Sequence, residues 1–314
     1  MVLRRLLIAA CIGLFYGAIG YLRRSAYTGY NRIGDLYFAL YTAQSLLQGR
    51  DPYNFTPNGY FIPYPLPVGL VGLPLIWLPW PLASAIFVAL SIGVLAFVCT
   101  HRGPWWRLWI FASLPMYVAA MYAQWSPLLL AGWYIPTIAP TLILIKPHIA
   151  LPIALQRLSR HGIAVAMAVF VVSLLVYPTW PIRWLGMLQA YQRMVPLLTL
   201  PFGPLLLGAL WRWRTDRGRL LLMMAVLPLR SIYDVCALWL IPQTHRQMLI
   251  LTILSWLTMY LITGAGVGHA PVVPLLFLPA LCFLLSERRN SGPHPETPPT
   301  PIAQQGAPEP SPKA

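Results

Sequence analysis

Apolar stretches long enough to cross a bilayer recur along this chain and constrain its fold more than any other feature. Several approach the ~17–25 residues that a spanning helix needs; the run from Leu82 to Thr100 is an example. Inside lipid the backbone must satisfy its own hydrogen bonds, which leaves helices or closed barrels. The runs are continuously apolar and do not alternate, so helices are expected and a barrel is not. Charged residues make up only 9% of the chain and hydrophobic ones 58%, whereas soluble domains carry roughly 25% charged residues. The 33 prolines are compatible with membrane helices, where neighbours re-satisfy the freed backbone groups.

The expected fold is all-α, a polytopic transmembrane bundle. A basic start at Arg4 and Arg5 leads into a first, uncleaved helix running to Tyr21. Further segments are expected near Leu66–Leu78, Leu82–Thr100, Trp109–Tyr122, Pro127–Tyr134, Ile138–Leu155, Gly162–Tyr177, Leu197–Trp211, Leu220–Ile241, Met248–Ile262 and Val272–Leu285. That makes about 10–11 spans, with Leu66–Leu78 and Pro127–Tyr134 short enough to be partial or re-entrant.

The net charge is +15, carried by arginine apart from Lys146 and Lys313. The arginines lie between apolar runs, which reads as anchoring to lipid headgroups and not as nucleic-acid binding. Arg4 and Arg5 place the N-terminus in the cytoplasm, and the loop after the first helix outside it. Arg157, Arg160, Arg212, Arg214, Arg217 and Arg219 mark cytoplasmic loops, whereas Arg23, Arg24, Arg32 and Arg50 fall on the outer side, against the usual pattern. Cys11, Cys99, Cys236 and Cys282 form no CxxC pair, and the histidines lack metal-ligand spacing. No cofactor is expected, and a divalent-metal requirement is left open.

The longest polar interruption is Asn31–Pro67. Within it, Asp35–Leu47 reads as an interfacial helix with Leu36, Leu40, Ala43 and Leu47 on one face. Asp35 is placed as its N-cap and Gly49 as its stop. Asp51-Pro52-Tyr53 reads as a turn, and Trp184–Met194 as a second interfacial helix in an outer loop. From Ser291 onward a Pro-rich composition predicts disorder.

Seven acids are present; outside the tail and its border they reduce to Asp35, Asp51, Asp216 and Asp234. Asp216 sits among arginines as a solvated partner. Asp234 lies in an apolar run, where a carboxylate either serves function or pairs with Arg230 one helical turn back. Lys146 is a lone basic residue in TLILIKPHIALP, a candidate phosphate or carboxylate contact; the competing reading is snorkelling to an interface. Pro147 and His148 beside it suggest a broken, polar turn lining a cavity. Gln124 is a weaker polar candidate between two apolar runs.

These residues carry a resemblance. GDLYFALYTAQSLLQGRDPY followed by FIPYPLPVGLVGLPLIWLP resembles the start of the bacterial integral-membrane mannosyltransferase-like proteins, glycosyltransferase family 87 of the GT-C class. The family's acid before an aromatic-rich helix matches Asp35, and its L-x-x-G-x-x-P-Y turn matches Leu46 to Tyr53. Its Tyr-Pro-Pro-Leu entry appears as Tyr64-Pro65-Leu66-Pro67, with Leu and Pro exchanged. A Gly-Gln-x-Asn element matches only at Gln124, Lys-Pro matches Lys146-Pro147, and a later element matches loosely around Pro228–Asp234. The resemblance implies a GT-C-like membrane domain over residues 1–285, with an outer catalytic loop at 23–65; the disordered Pro-rich tail read from composition then covers 286–314.

The implied activity moves a monosaccharide, such as mannose, from a polyprenyl-phosphate donor to a hydroxyl of a glycan or glycolipid acceptor, with inversion. The implied location is the bacterial inner membrane, with membrane lipids as further partners. Asp35 is the implied general base. Lys146, Asp51, Tyr53, Tyr64, Gln124, His148 and Asp234 are the implied substrate contacts. A transporter or flippase of lipid-linked sugars and a non-catalytic assembly protein are the alternatives; the first would be marked by near-symmetric halves, the second by a dispensable Asp35.

Overall fold

Prolines decide how the apolar runs are divided. The computed structural model describes residues 2–26, 34–54, 59, 61–188, 194–229, 232–266 and 268–287. It is all-helical, and the β-pairing among the described residues is one antiparallel bridge between Met194 and Leu229. Among the described residues, three helices are long and apolar enough to cross a membrane: α1 (Val2–Ala26), α4 (Trp80–His101) and α12 (His245–Gly264). A fourth crossing arises if α9 (Arg160–Val176) and α10 (Trp180–Met187), which meet at a bend of 95°, are taken as one broken span. Outward-facing Leu14, Phe15 and Leu22 on α1, Val171 and Leu175 on α9, and Ile253 and Tyr260 on α12 are all exposed. Apolar coats of this extent suit lipid and are rare on soluble monomers.

The expected ten or eleven spans differ from this because the remaining runs are cut into pieces. Proline lacks an N–H and clashes with the preceding turn, yet fits the first turn of a helix. It occupies that place in α5 (Leu114–Met121), α6 (Ser126–Ala131), α7 (Ala139–Ile143) and α8 (Pro147–Ala154). Ile138–Leu155, expected as one span, is thus two short helices broken at Lys146. Leu220–Ile241 divides likewise into α11 (Asp216–Val226) and a 3-10 helix at Ile232–Leu240.

The tightest pairing is between α1 and α4. Gly13 and Gly17 let the backbones touch: a Cβ at Gly13 would meet the carbonyl of Ala89, and one at Gly17 the carbonyl of Ala85. This is the small-residue packing that membrane helices use where no hydrophobic drive brings them together. The pair is antiparallel, since Arg4 lies over Trp105 beyond the far end of α4 and Arg24 over Trp80 at its start.

Helix α2 (Asp35–Leu47) ends as expected, with Gly49 in the left-handed region at φ 64°. Its setting differs from the interfacial one expected. Leu36, Phe38, Ala39, Leu40 and Ala43 are buried, while Leu47 is exposed. Helix α3 (Val68–Gly72) covers it, and a Cβ on Gly72 would strike the carbonyl of Ala39. The N-cap is Gly34 and not Asp35, which frees the Asp35 carboxylate for other partners. Helix α10 begins at Trp180, four residues before the expected Trp184. Asn31, Arg32, Arg230 and the tail from 288 lie outside the described residues, and with them the expected Arg230–Asp234 pair and the disordered tail.

The two ends of the molecule differ chemically. At one end Arg107, Arg157, Arg217 and Arg219 lie close together, Arg217 feeling the charges of Arg107 and Arg157, and Arg157 and Arg219 sharing Asp216. They are linked by contacts such as Arg107 to Tyr134 at 3.3 Å and Arg157 to Asp216 at 2.9 Å. The other end holds Asp35, Asp234 and Lys146, the Asp51–Arg183 pair, and Arg23 and Arg24 beside Tyr122.

Candidate functional site

A residue before proline is pushed out of the helical region, and Lys146, preceding Pro147, is extended at φ −143° and ψ 83°. That break turns its side chain inward between α7 and α8. Its Nζ lies 3.1 Å from Oδ1 of Asp234 and 3.4 Å from Oδ2 of Asp35. It donates to Oε1 of Gln124 at 3.2 Å and sits 4.7 Å from the centre of the Tyr233 ring. All three charged groups are buried: Lys146 and Asp35 at 5% exposure and Asp234 at 0%. Lys146 therefore neither snorkels nor stands alone. It balances two carboxylates that would each be costly to bury unpaired.

Each partner arrives by a different local device. Asp35 is the first residue of α2, and its N–H donates to the carbonyl of Tyr122 at 2.9 Å. Tyr64, from the segment after α2, donates its hydroxyl to Oδ2 of Asp35. Gln124 follows Ala123, which takes a left-handed φ of 45°; a non-glycine residue there stores strain, a feature that clusters at functional sites. Asp234 comes from the 3-10 helix at Ile232–Leu240, and its Oδ2 lies 3.4 Å from Nε2 of His148. The result is one continuous chain of polar contacts, His148–Asp234–Lys146–Asp35–Tyr64.

A cavity of about 140 Å³ opens beside this chain. Tyr64, Lys146 and His148 form its polar part, and Pro63, Ile145, Trp184, Leu188, Pro228 and Leu229 its apolar walls. Asp35 and Asp234 lie behind the polar part, each one hydrogen bond or ion pair from a lining residue. Such a site can receive an amphiphile, with polar chemistry at one end and apolar contact along the sides.

Of the residues singled out in the sequence, Asp35, Tyr64, Gln124, Lys146, His148 and Asp234 come together here. Asp51 does not. Its carboxylate accepts from Arg183 on α10 at 2.5 Å and from the Tyr53 N–H at 2.9 Å. Tyr53 donates to the Tyr64 carbonyl at 3.1 Å, so this pair braces the Tyr64 segment from outside the cavity. Sequence reasoning passes over Tyr233, although its place beside Asp234 is a signal. It also notes Arg24 only as a charge on the wrong side, without its burial. Compared with protein-family models, curated proteins and solved structures, the chain matches none.

Proposed function

We propose that this protein is a membrane glycosyltransferase that moves a monosaccharide from a polyprenyl-phosphate donor to an acceptor hydroxyl, with Asp35 as general base. The observation that carries the reading is the Asp35 carboxylate, buried and bonded to Tyr64 and Lys146 at the edge of a cavity with apolar walls. An acceptor hydroxyl is a weak nucleophile until its proton is removed. On this reading the acceptor O–H proton passes through the Tyr64 hydroxyl to Asp35. The acceptor oxygen bonds the anomeric carbon as the bond from that carbon to the phosphate oxygen breaks. The electron pair leaves on the phosphate, and the displacement inverts the sugar. Lys146 sets a positive charge against both carboxylates. The apolar walls suit a lipid-borne donor.

The arginine-rich end favours the cytoplasm, which would set the site on the outer face of a bacterial inner membrane. The short broken helices would then cross in pairs, in the manner of a GT-C-like bundle. In a transfer assay with purified protein and radiolabelled polyprenyl-phosphate sugars, Asp35→Asn should fold yet lose about 10²–10⁴-fold in rate. Asp51→Asn should lose less, because Asp51 meets Arg183 away from the cavity. Near-normal transfer by Asp35→Asn would remove Asp35 as the base.

One observation favours a second reading. A buried lysine between two buried acids is also what a carrier of charged lipids would use. Uptake of a lipid-linked sugar into vesicles without any covalent transfer would select that alternative.

A further inference from the structure

Arg24 is a buried cation at the site end, near enough to Asp35 to feel its charge but not hydrogen-bonded to it. Its side chain is fully buried, and among the described residues Nε, Nη1 and Nη2 have no hydrogen-bond partner. Its aromatic neighbour is Trp80, with the guanidinium carbon 5.8 Å from the ring centre. A buried cation without a hydrogen-bonding partner is unfavourable, and the Asp35 charge offsets only part of that cost. Lys146 is the opposite case, saturated by Asp35, Asp234 and Gln124.

The position of Arg24 adds a second observation. It lies against Gly34, the N-cap of α2, where a Cβ would collide with Nη2 of Arg24 and with the carbonyl of Tyr122. Being glycine, that cap offers no side chain to the helix start, where the Asp35 N–H is taken by the Tyr122 carbonyl at 2.9 Å. Helix α2 has 13 residues, and its first turn presents the positive end of the helix dipole, a natural anion-binding position. Arg23 adds a further cation alongside, its Nη2 3.5 Å from the Tyr122 hydroxyl. The carboxylate of Asp35 at this helix start is already engaged by Tyr64 and Lys146.

We propose that Arg24 and the N-terminus of α2 together hold a phosphate group, that of a membrane-embedded lipid phosphate. This rests on the reading above that the donor is a lipid phosphate, and it moves the phosphate contact from Lys146 to Arg24. A guanidinium offers paired donors to two phosphate oxygens. The phosphate so held sits beside the residue next to Asp35 in the chain, as transfer from a phosphate to a hydroxyl activated there requires.

The test is equilibrium binding of a polyprenyl monophosphate, the matching polyprenol and inorganic phosphate to the full-length protein in detergent. The wild type should prefer the monophosphate over the alcohol by about tenfold or more, the scale of a lost hydrogen bond to a charged group. Arg24→Gln should erase that preference, and Arg24→Lys, which keeps the charge without the fork, should retain part of it. Competition by inorganic phosphate that vanishes in Arg24→Gln supports the site and assigns it to phosphate alone. An Arg24-dependent lipid preference without such competition supports it as a lipid-phosphate site.

The melting temperature of ligand-free Arg24→Gln should stay level or rise, because a buried charge without a hydrogen-bonding partner is removed. A fall, with the phosphate preference intact, makes Arg24 structural and overturns the proposal. Wild-type preference in both variants overturns it too. If Arg24→Gln fails to fold, wild-type preference in Arg24→Lys is sufficient to do so. Binding requires no turnover, so Arg24-dependent binding without sugar transfer would sink the transferase reading and leave this site standing.

Discussion

Lys146 shows how burial changes the meaning of a single charge. Read in sequence it is a lone cation, and its removal would relieve the protein. In the structure its removal strands Asp35 and Asp234 together. Breaking a buried pair on one side costs about 3–5 kcal/mol, so Lys146→Met should lower the melting temperature sharply. Adding Asp234→Leu should restore a large part of the loss, since an apolar residue then replaces the stranded acid. Thermal unfolding of the two variants and the double variant checks this; additive losses would mean that the pair is not coupled. The charged residues themselves are legible in the sequence, because an acid or lysine in an apolar run stands out. Their convergence is not, since Lys146 and Asp35 are 111 positions apart. The burial that separates Arg24 from Arg23 leaves no trace in the sequence either.

At the level of elements, the long uninterrupted helices are legible and the broken ones are legible only as apolar. Hydropathy reports whether a segment prefers lipid, whereas the proline positions decide whether it stays one helix. Ile138–Leu155 reads as one span, yet Pro147 opens it at the point where the lysine must turn inward. The α1–α4 pair is set by residues with no hydropathy signal at all. Gly17→Leu should force these helices apart, because even a Cβ there would meet Ala85 and Ala89. Overpacking of this kind costs roughly 1–3 kcal/mol. Leu14→Ala on the outward face should be nearly neutral, since Leu14 is 68% exposed. Thermal melts of the purified variants check the pair; equal effects would mean that α1 is not packed in this way.

For the whole molecule, the distribution of arginine makes orientation testable. Asn54 is exposed at the site end. In a cysteine-free background, Asn54→Cys should react with a membrane-impermeant reagent on intact cells, and Arg160→Cys only after permeabilisation. The reverse pattern would invert the topology and place the site in the cytoplasm. The right-angle turn between α9 and α10 has a consequence of a different kind. Helix α9 has 17 residues, about 25 Å at 1.5 Å per residue, less than the ~30 Å hydrocarbon depth of an ordinary bilayer. A crossing made by α9 with α10 turned aside would fall short of that depth, and the surrounding lipid would thin or the helix would carry strain. The protein should therefore act as a gauge of its host membrane. Its thermal stability in nanodiscs should fall steadily as acyl chains lengthen, and a Leu-Ala-Leu insertion after Val171 should move the optimum toward thicker bilayers.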